Sequence, residues 1–137
     1  LCQTKSTGYI YGDSDIVLEK TSQIEVSGRV TLGKLATVQE KATVLVHLCN
    51  LRGGQIPGKI YHYSATTKPI LFILDGTPEE KKQIKEYFER FNRYYFCDND
   101  KQSILLAMNQ IETDIVDGRK WRPVTEFSPK AVVKQLL

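Results

Sequence analysis

Residues 69–80 read Pro-Ile-Leu-Phe-Ile-Leu-Asp-Gly-Thr-Pro-Glu-Glu. The unbroken apolar run Ile70 to Leu74, cut off at once by Asp75-Gly76, describes a strand covered on both faces, since a strand with one wet face alternates instead. Such a strand belongs in the interior of a parallel sheet with helices packed around it, so the fold class is α/β. Thr77-Pro78-Glu79-Glu80 then carries the marks of a helix start: a threonine cap, proline at the first helical position, and acids in the first turn. That helix is expected to reach about Tyr95, with Ile84, Tyr87, Phe88 and Phe91 as its inner face.

Downstream, Cys97-Asp98-Asn99-Asp100-Lys101 reads as a turn and Ser103 to Val116 as a helix that uses Leu105, Leu106, Met108, Ile111 and Ile115. Asp117-Gly118 ends it, and the tail carries Arg119-Lys120-Trp121-Arg122 and a short helix after Pro129. Upstream, residues 55–69 form a basic, tyrosine-containing connector, and Leu35, Val38, Ala42, Leu45 and Cys49 recur at helical spacing over about 32–50. That helix is expected to stop at Gly53-Gly54. Earlier still, Gly8 to Gly12 is β-like, and the runs 15–19 and 22–27, separated by Lys20-Thr21, suit an antiparallel hairpin. A hairpin joined to a parallel strand makes the sheet mixed, flanked by helices. At 137 residues the chain is read as one domain, with an arm at 1–8, a core at 9–95 and a C-terminal helical extension at 96–137.

Bulk properties narrow the function classes. No apolar run approaches a membrane span and no signal-like start is visible, so a membrane role is not expected. Cys2, Cys49 and Cys97 lie far apart without CxxC spacing, which excludes a zinc ribbon or a disulfide framework and suits reduced thiols in the cytoplasm. A net charge of +3 permits contact with a polyanion. The chain starts at Leu1 and its sole methionine is Met108, so it is expected to be a fragment or subunit of a larger protein.

Residues 12–40 carry the candidate chemistry. Asp15 stands before the run Ile16-Val17-Leu18, and Glu25 stands inside Ile24-Glu25-Val26. An acid within a Val/Ile strand is costly unless compensated, and a divalent cation is the common compensation for two such acids. The helix that follows carries Gln39-Glu40. Metal-assisted phosphodiester hydrolysis needs carboxylates that hold Mg²⁺ (or Mn²⁺) against a phosphate oxygen and a group that positions water. Mg²⁺ retains most of its waters, so Asp15, Glu25 and the carbonyl of Val26 form a sufficient set.

These residues resemble the PD-(D/E)XK nuclease superfamily, and within it the cleavage domains of type IIS restriction and nicking endonucleases. Ser14-Asp15-Ile16-Val17, then Ile24-Glu25-Val26-Ser27, then a helix with Gln39-Glu40 that continues to Val46-His47-Leu48 follow the family order over roughly residues 8–95. The resemblance implies a restriction-endonuclease-like core and a metal-dependent DNA endonuclease. Asp15 and Glu25 are then the metal ligands, with Gln39 or Glu40 assisting. Ser27 is the departure: it stands where the superfamily usually has the water-activating lysine, and the type IIS subgroup often has Thr there. Lys20 and Lys34 are alternatives for that role, and a catalytically inactive binding module is the other outcome. The resemblance further implies a sequence-recognition domain or subunit elsewhere, and a homodimer if both DNA strands are cut.

Each reading has a plainer counterpart. Asp15 also suits a turn cap, Glu25 an exposed strand position, and Gln39-Glu40 a solvated helix face. Lys34, Lys59, Lys68, Arg119, Lys120 and Arg122 are the candidate phosphate contacts. The cluster at 119–122 equally suits an aromatic anchor that ties a loop to the domain. Asp75, at the carboxyl end of the buried strand, either begins a turn or marks the ligand edge of a Rossmann-like domain. His47 and His62 sit in different elements and are read as structural.

Overall fold

The computed structural model describes residues 6–11, 23–49, 58–128 and 130–131. The chain divides into two compact units, Leu1–Ala42 and Thr43–Leu137. In the first, β1 (Gly8–Tyr11) and β2 (Ile24–Ser27) pair in parallel, from Gly8 opposite Ile24 to Tyr11 opposite Ser27. The expected hairpin arm at 15–19 lies outside the described residues, and the neighbour that β2 does show is parallel. Helix α1 (Leu32–Lys41) follows, with Thr31 as its cap: the Thr31 hydroxyl accepts from the Lys34 amide at 3.2 Å.

The second unit contains β3 (Leu45–Cys49), α2 (Lys59–Ser64), β4 (Ile70–Leu74), α3 (Pro78–Glu89), β5 (Tyr94–Asp98) and α4 (Lys101–Val116). Its three strands lie in the order β3-β4-β5, all parallel. The α/β class therefore holds, but every pairing among the described residues is parallel, so the sheet is not mixed there. Every residue of β4 is buried, as its unbroken apolar run requires. Phe72 on one face meets Phe88 of α3 at 5.2 Å between ring centroids and Tyr94 of β5 at 5.6 Å. Leu71 and Ile73 on the other pack with Tyr95, Cys97 and Ile111. Helices α2 and α3 thus serve one face and α4 the other.

Three sequence expectations change. The helix expected over 32–50 ends at Lys41, and its second half is β3. Leu45, His47 and Cys49 are buried while Val46 and Leu48 are about half exposed, at 52% and 51%. The Leu45 and Cys49 steps that fit a helical period fit a strand period as well, and the β-branched Thr43, Val44 and Val46 favour the strand. The helix expected to reach Tyr95 stops at Glu89, and Tyr94-Tyr95-Phe96-Cys97 enters the sheet. The connector at 55–69 contains α2, which buries Ile60 and Ser64.

The punctuation of the helices follows the sequence more closely. Thr77 and Glu80 form a reciprocal capping box at α3, each side chain accepting from the other residue's amide at 3.2 Å. Helix α4 begins two residues before the expected Ser103, capped by Asp100, whose carboxylate accepts from the Ser103 amide at 2.8 Å. Its packed stripe is Ile104, Ala107, Met108 and Ile111, while Leu106 and Ile115 of the expected stripe are exposed. Gly118, at φ 80°, ends α4 in the left-handed region. Its amide bonds to the Ile115 carbonyl and the Arg119 amide to the Asp114 carbonyl, which is a Schellman closure. The stop at Gly53-Gly54 lies outside the described residues. Among the described residues, no helix is long and apolar enough to cross a membrane.

Candidate functional site

The second unit holds a cleft of about 550 Å³ built from two chain segments. One is the α3–β5 turn. After Arg90 the chain reverses at Asn92, whose φ of 47° is the left-handed conformation that asparagine tolerates better than most residues. The other is the segment that leaves α4 at Gly118 and runs to a 3-10 turn, Thr125–Phe127. This second segment is tied down by the Val124 amide, which donates to the Ser64 carbonyl at 2.9 Å. Arg90, Arg93, Arg119, Lys120 and Arg122 line the cleft, against one carboxylate, Glu126.

These cations are held in different ways. Arg93 is 3% exposed. Its Nε donates to the Arg122 carbonyl at 3.0 Å and one Nη to the Thr66 carbonyl at 2.8 Å, so it staples the α2–β4 loop to the C-terminal segment. The remaining Nη1 is buried without an acceptor. Burial pulls the Arg93 guanidinium below its usual range, because removing the cation from water without a carboxylate partner disfavours its charged form. Arg90 is stacked over Tyr87 and Phe91 at 4.6 and 4.7 Å from the ring centres. Arg119 pairs with Asp114 at 3.1 Å and also donates to the Tyr95 hydroxyl at 3.1 Å.

Tyr95 is the hub beneath Arg119. Its hydroxyl donates to Asp114 at 2.6 Å and accepts from the Trp121 indole N–H at 3.2 Å. Burial, with the Asp114 hydrogen bond second, pushes the Tyr95 phenol up to about 12. The Tyr95 bond in turn is the leading reason that the Asp114 carboxyl lies below its usual range. Trp121 packs against the α4-side core, so the anchoring alternative describes Trp121 and Arg119, whereas Lys120 and Arg122 remain exposed.

The expected metal and phosphate residues are dispersed. Asp15 lies outside the described residues. Glu25 and Ser27 are exposed on one face of β2, and Val26 is half-buried on the other. Glu25 is thus not a buried acid, and the burial cost that pointed to a compensating cation does not arise at it. Gln39 is half-buried and Glu40 exposed on α1. Among the described residues no group of three His, Cys, Asp or Glu converges as a metal site. The described part of the expected donor set, the Glu25 carboxylate and the Val26 carbonyl, is an oxygen set of the kind Mg²⁺ accepts. Lys34, on α1, Lys59, the first residue of α2, and Lys68, in the α2–β4 loop, do not line the cleft, whereas Arg119, Lys120 and Arg122 do.

Arg90 and Arg93 are the cleft residues that sequence reasoning missed. Their signal was Asn92 followed by a β-rich aromatic run, which marks a turn into a strand instead of a continuing helix. Asp75, at the carboxyl end of β4, is exposed and accepts from the Gly76 amide at 2.9 Å, a local turn contact. His47 is 3% exposed, and its ring lies against Phe72 at 4.8 Å in the core, the structural role expected of it. Comparison of the chain with protein-family models, with curated proteins and with solved structures gave no match.

Proposed function

We propose that this chain binds the phosphate backbone of nucleic acid, DNA in the first instance, through the cleft of the second unit. The observation that carries this reading is a concave surface whose lining includes five cationic residues and one carboxylate residue, Glu126. Guanidinium groups suit phosphate because their planar fork of donors matches its oxygens. Stacking on Tyr87 and Phe91 orders the Arg90 fork before a ligand arrives, which lowers the entropy lost on binding. With Trp121 committed to Tyr95 and the core, the cleft addresses charge and not base sequence.

The test is titration of a labelled oligonucleotide at several salt concentrations. The affinity is expected to fall linearly on logarithmic axes. The paired substitutions Lys120→Gln and Arg122→Gln are expected to flatten the slope by roughly one unit per phosphate contact removed. Binding indifferent to salt and to both substitutions sinks the reading.

A second reading, divalent-metal-dependent endonuclease activity, is favoured by Glu25 and Ser27 on the same exposed face of β2, with Gln39 on the helix that follows. On it, Asp15 and Glu25 with the Val26 carbonyl hold Mg²⁺ or Mn²⁺, and Gln39 or Glu40 assists. Recognition of a DNA sequence then belongs to another domain or subunit, and double-strand cleavage requires a homodimer. Supercoiled plasmid with Mg²⁺ or EDTA, beside Glu25→Ala, decides it. Nicking that needs the metal and vanishes in the variant supports the activity, and its absence leaves the binding function alone.

A further inference from the structure

We propose that the cleft seats a terminal phosphate, the monoester at the end of a nucleic-acid strand, with Arg93 as the buried positive charge beneath it. This rests on the nucleic-acid reading above. The first argument is size. A cleft of about 550 Å³ falls in the range of small-ligand sites, roughly 300–1,000 Å³. It takes a nucleotide-sized group.

The second argument is charge. A phosphate monoester brings a charge of roughly −1.5 to −2 near neutral pH, and an internal diester brings one negative charge. Arg119 is already committed to Asp114, so the charge on offer is that of Arg90, Arg93, Lys120 and Arg122 against Glu126. Four cations against one carboxylate leave about +3, which exceeds one diester by about two charges and a monoester by about one, so the end group is the closer match.

The third argument is the state of Arg93. Two main-chain carbonyls fix its plane, and neither neutralises it. No carboxylate lies within ion-pair distance of it among the described residues, and its Nη1 has no acceptor. A buried cation acts through a lower effective dielectric than an exposed lysine does. The second charge of a monoester therefore gains most from Arg93. Exposed Lys120 and Arg122 draw any polyanion, while Arg93 discriminates ends from interiors.

The test uses the full chain and internally labelled single strands of one sequence, carrying a 5′-phosphate, a 3′-phosphate, or hydroxyls at both ends. One phosphorylated strand is expected to bind about tenfold more tightly than the hydroxyl strand, as two or more charge-assisted hydrogen bonds would provide. The two phosphorylated arms say which end is seated. Inorganic phosphate is expected to compete away the preference but not the residual binding. Arg93→Gln retains an amide donor at the Nε position, toward the Arg122 carbonyl, and is expected to abolish the preference, weakening the phosphorylated strand more than the hydroxyl strand. Should that variant fail to fold, Arg90→Gln, at the ordered guanidinium that shares the cleft, is expected to reduce the preference, whereas Lys120→Gln is expected to weaken all three strands alike. Equal binding of all three strands overturns the inference while the nucleic-acid reading stands, and so does a preference that survives in a folded Arg93→Gln. Failure of all three strands to bind removes the underlying reading itself.

Discussion

The two units differ in how their residues of interest are held. Among the described residues of the first unit none is buried, and its two strands are four residues long. In the second unit the whole of β4 is buried between two helical layers, and Arg93 is locked into the same interior. Glu25 on β2 is wet, so its carboxylate imposes no folding cost and signals no compensating ligand. Arg93 is dry, and its Nη1 has no acceptor among the described residues. Local sequence pattern drew attention to the first unit; burial draws it to the second.

The sharpest way to break this contrast is through the aromatic face of β4. Phe88 is fully buried against Phe72, Tyr94 and Phe127. Phe88→Ala is expected to cost about 3–5 kcal/mol in urea unfolding, from lost burial and the cavity left behind. A loss below about 1 kcal/mol would mean that this face is loosely packed and that the contrast between the units is overstated.

His47 tests the same interior by pH. Burial, with Lys59 second, lowers the His47 imidazole from the ordinary 6.5 to about 4. The unfolded chain therefore binds the extra proton between those values. Stability from neutral His47 is present in full above about pH 6.5 and falls as the pH drops toward about 4. His47→Leu is expected to flatten that acid limb in a pH series of thermal melts; an unchanged limb places its origin in the carboxylates.

The Tyr95 hub comes next. Tyr95→Phe removes the hydroxyl that joins Asp114, Arg119 and Trp121, at an expected cost of about 1–2 kcal/mol. Since the Tyr95 phenol is raised from 10 to about 12, its contribution is complete below pH 10 and is lost as the pH climbs through about 12. The variant is expected to lack that alkaline transition. The same substitution loosens Arg119, so weaker nucleic-acid binding should accompany it if Arg119 adds to the cleft.

Smaller effects calibrate the comparison. Thr77→Ala removes one half of the α3 capping box and is expected to cost about 1 kcal/mol. Val26→Ala on half-buried β2 is expected to fall below about 1 kcal/mol. A larger loss at Val26 than at Thr77 would show the first unit to be better supported than its exposure suggests.

The parts of this protein legible from sequence were those whose signal is local. The β4 run from Ile70 to Leu74, the Thr77-Pro78 start of α3 and the Gly118 stop of α4 all rest on the pattern of a few adjacent residues. Strand β3 was hidden because it was read as the continuation of a real helix, and β5 because it was divided between a helix end at Tyr95 and a turn from Cys97. Leu45 and Cys49 satisfy either period, and the aromatic run at 94–96 follows a helix with no proline between them.

By itself the sequence determined the α/β class, the central buried strand, the start of α3 and the stop of α4, since propensity and capping act within one turn of the chain. The tertiary structure alone decided that Glu25 faces water and that Arg93 is enclosed. It also decided that the 90–93 turn and the 119–126 segment share one cationic cleft. Burial and convergence of charge are properties of residues distant in the chain. They arise only when the sheet brings the α3–β5 turn and the end of α4 together.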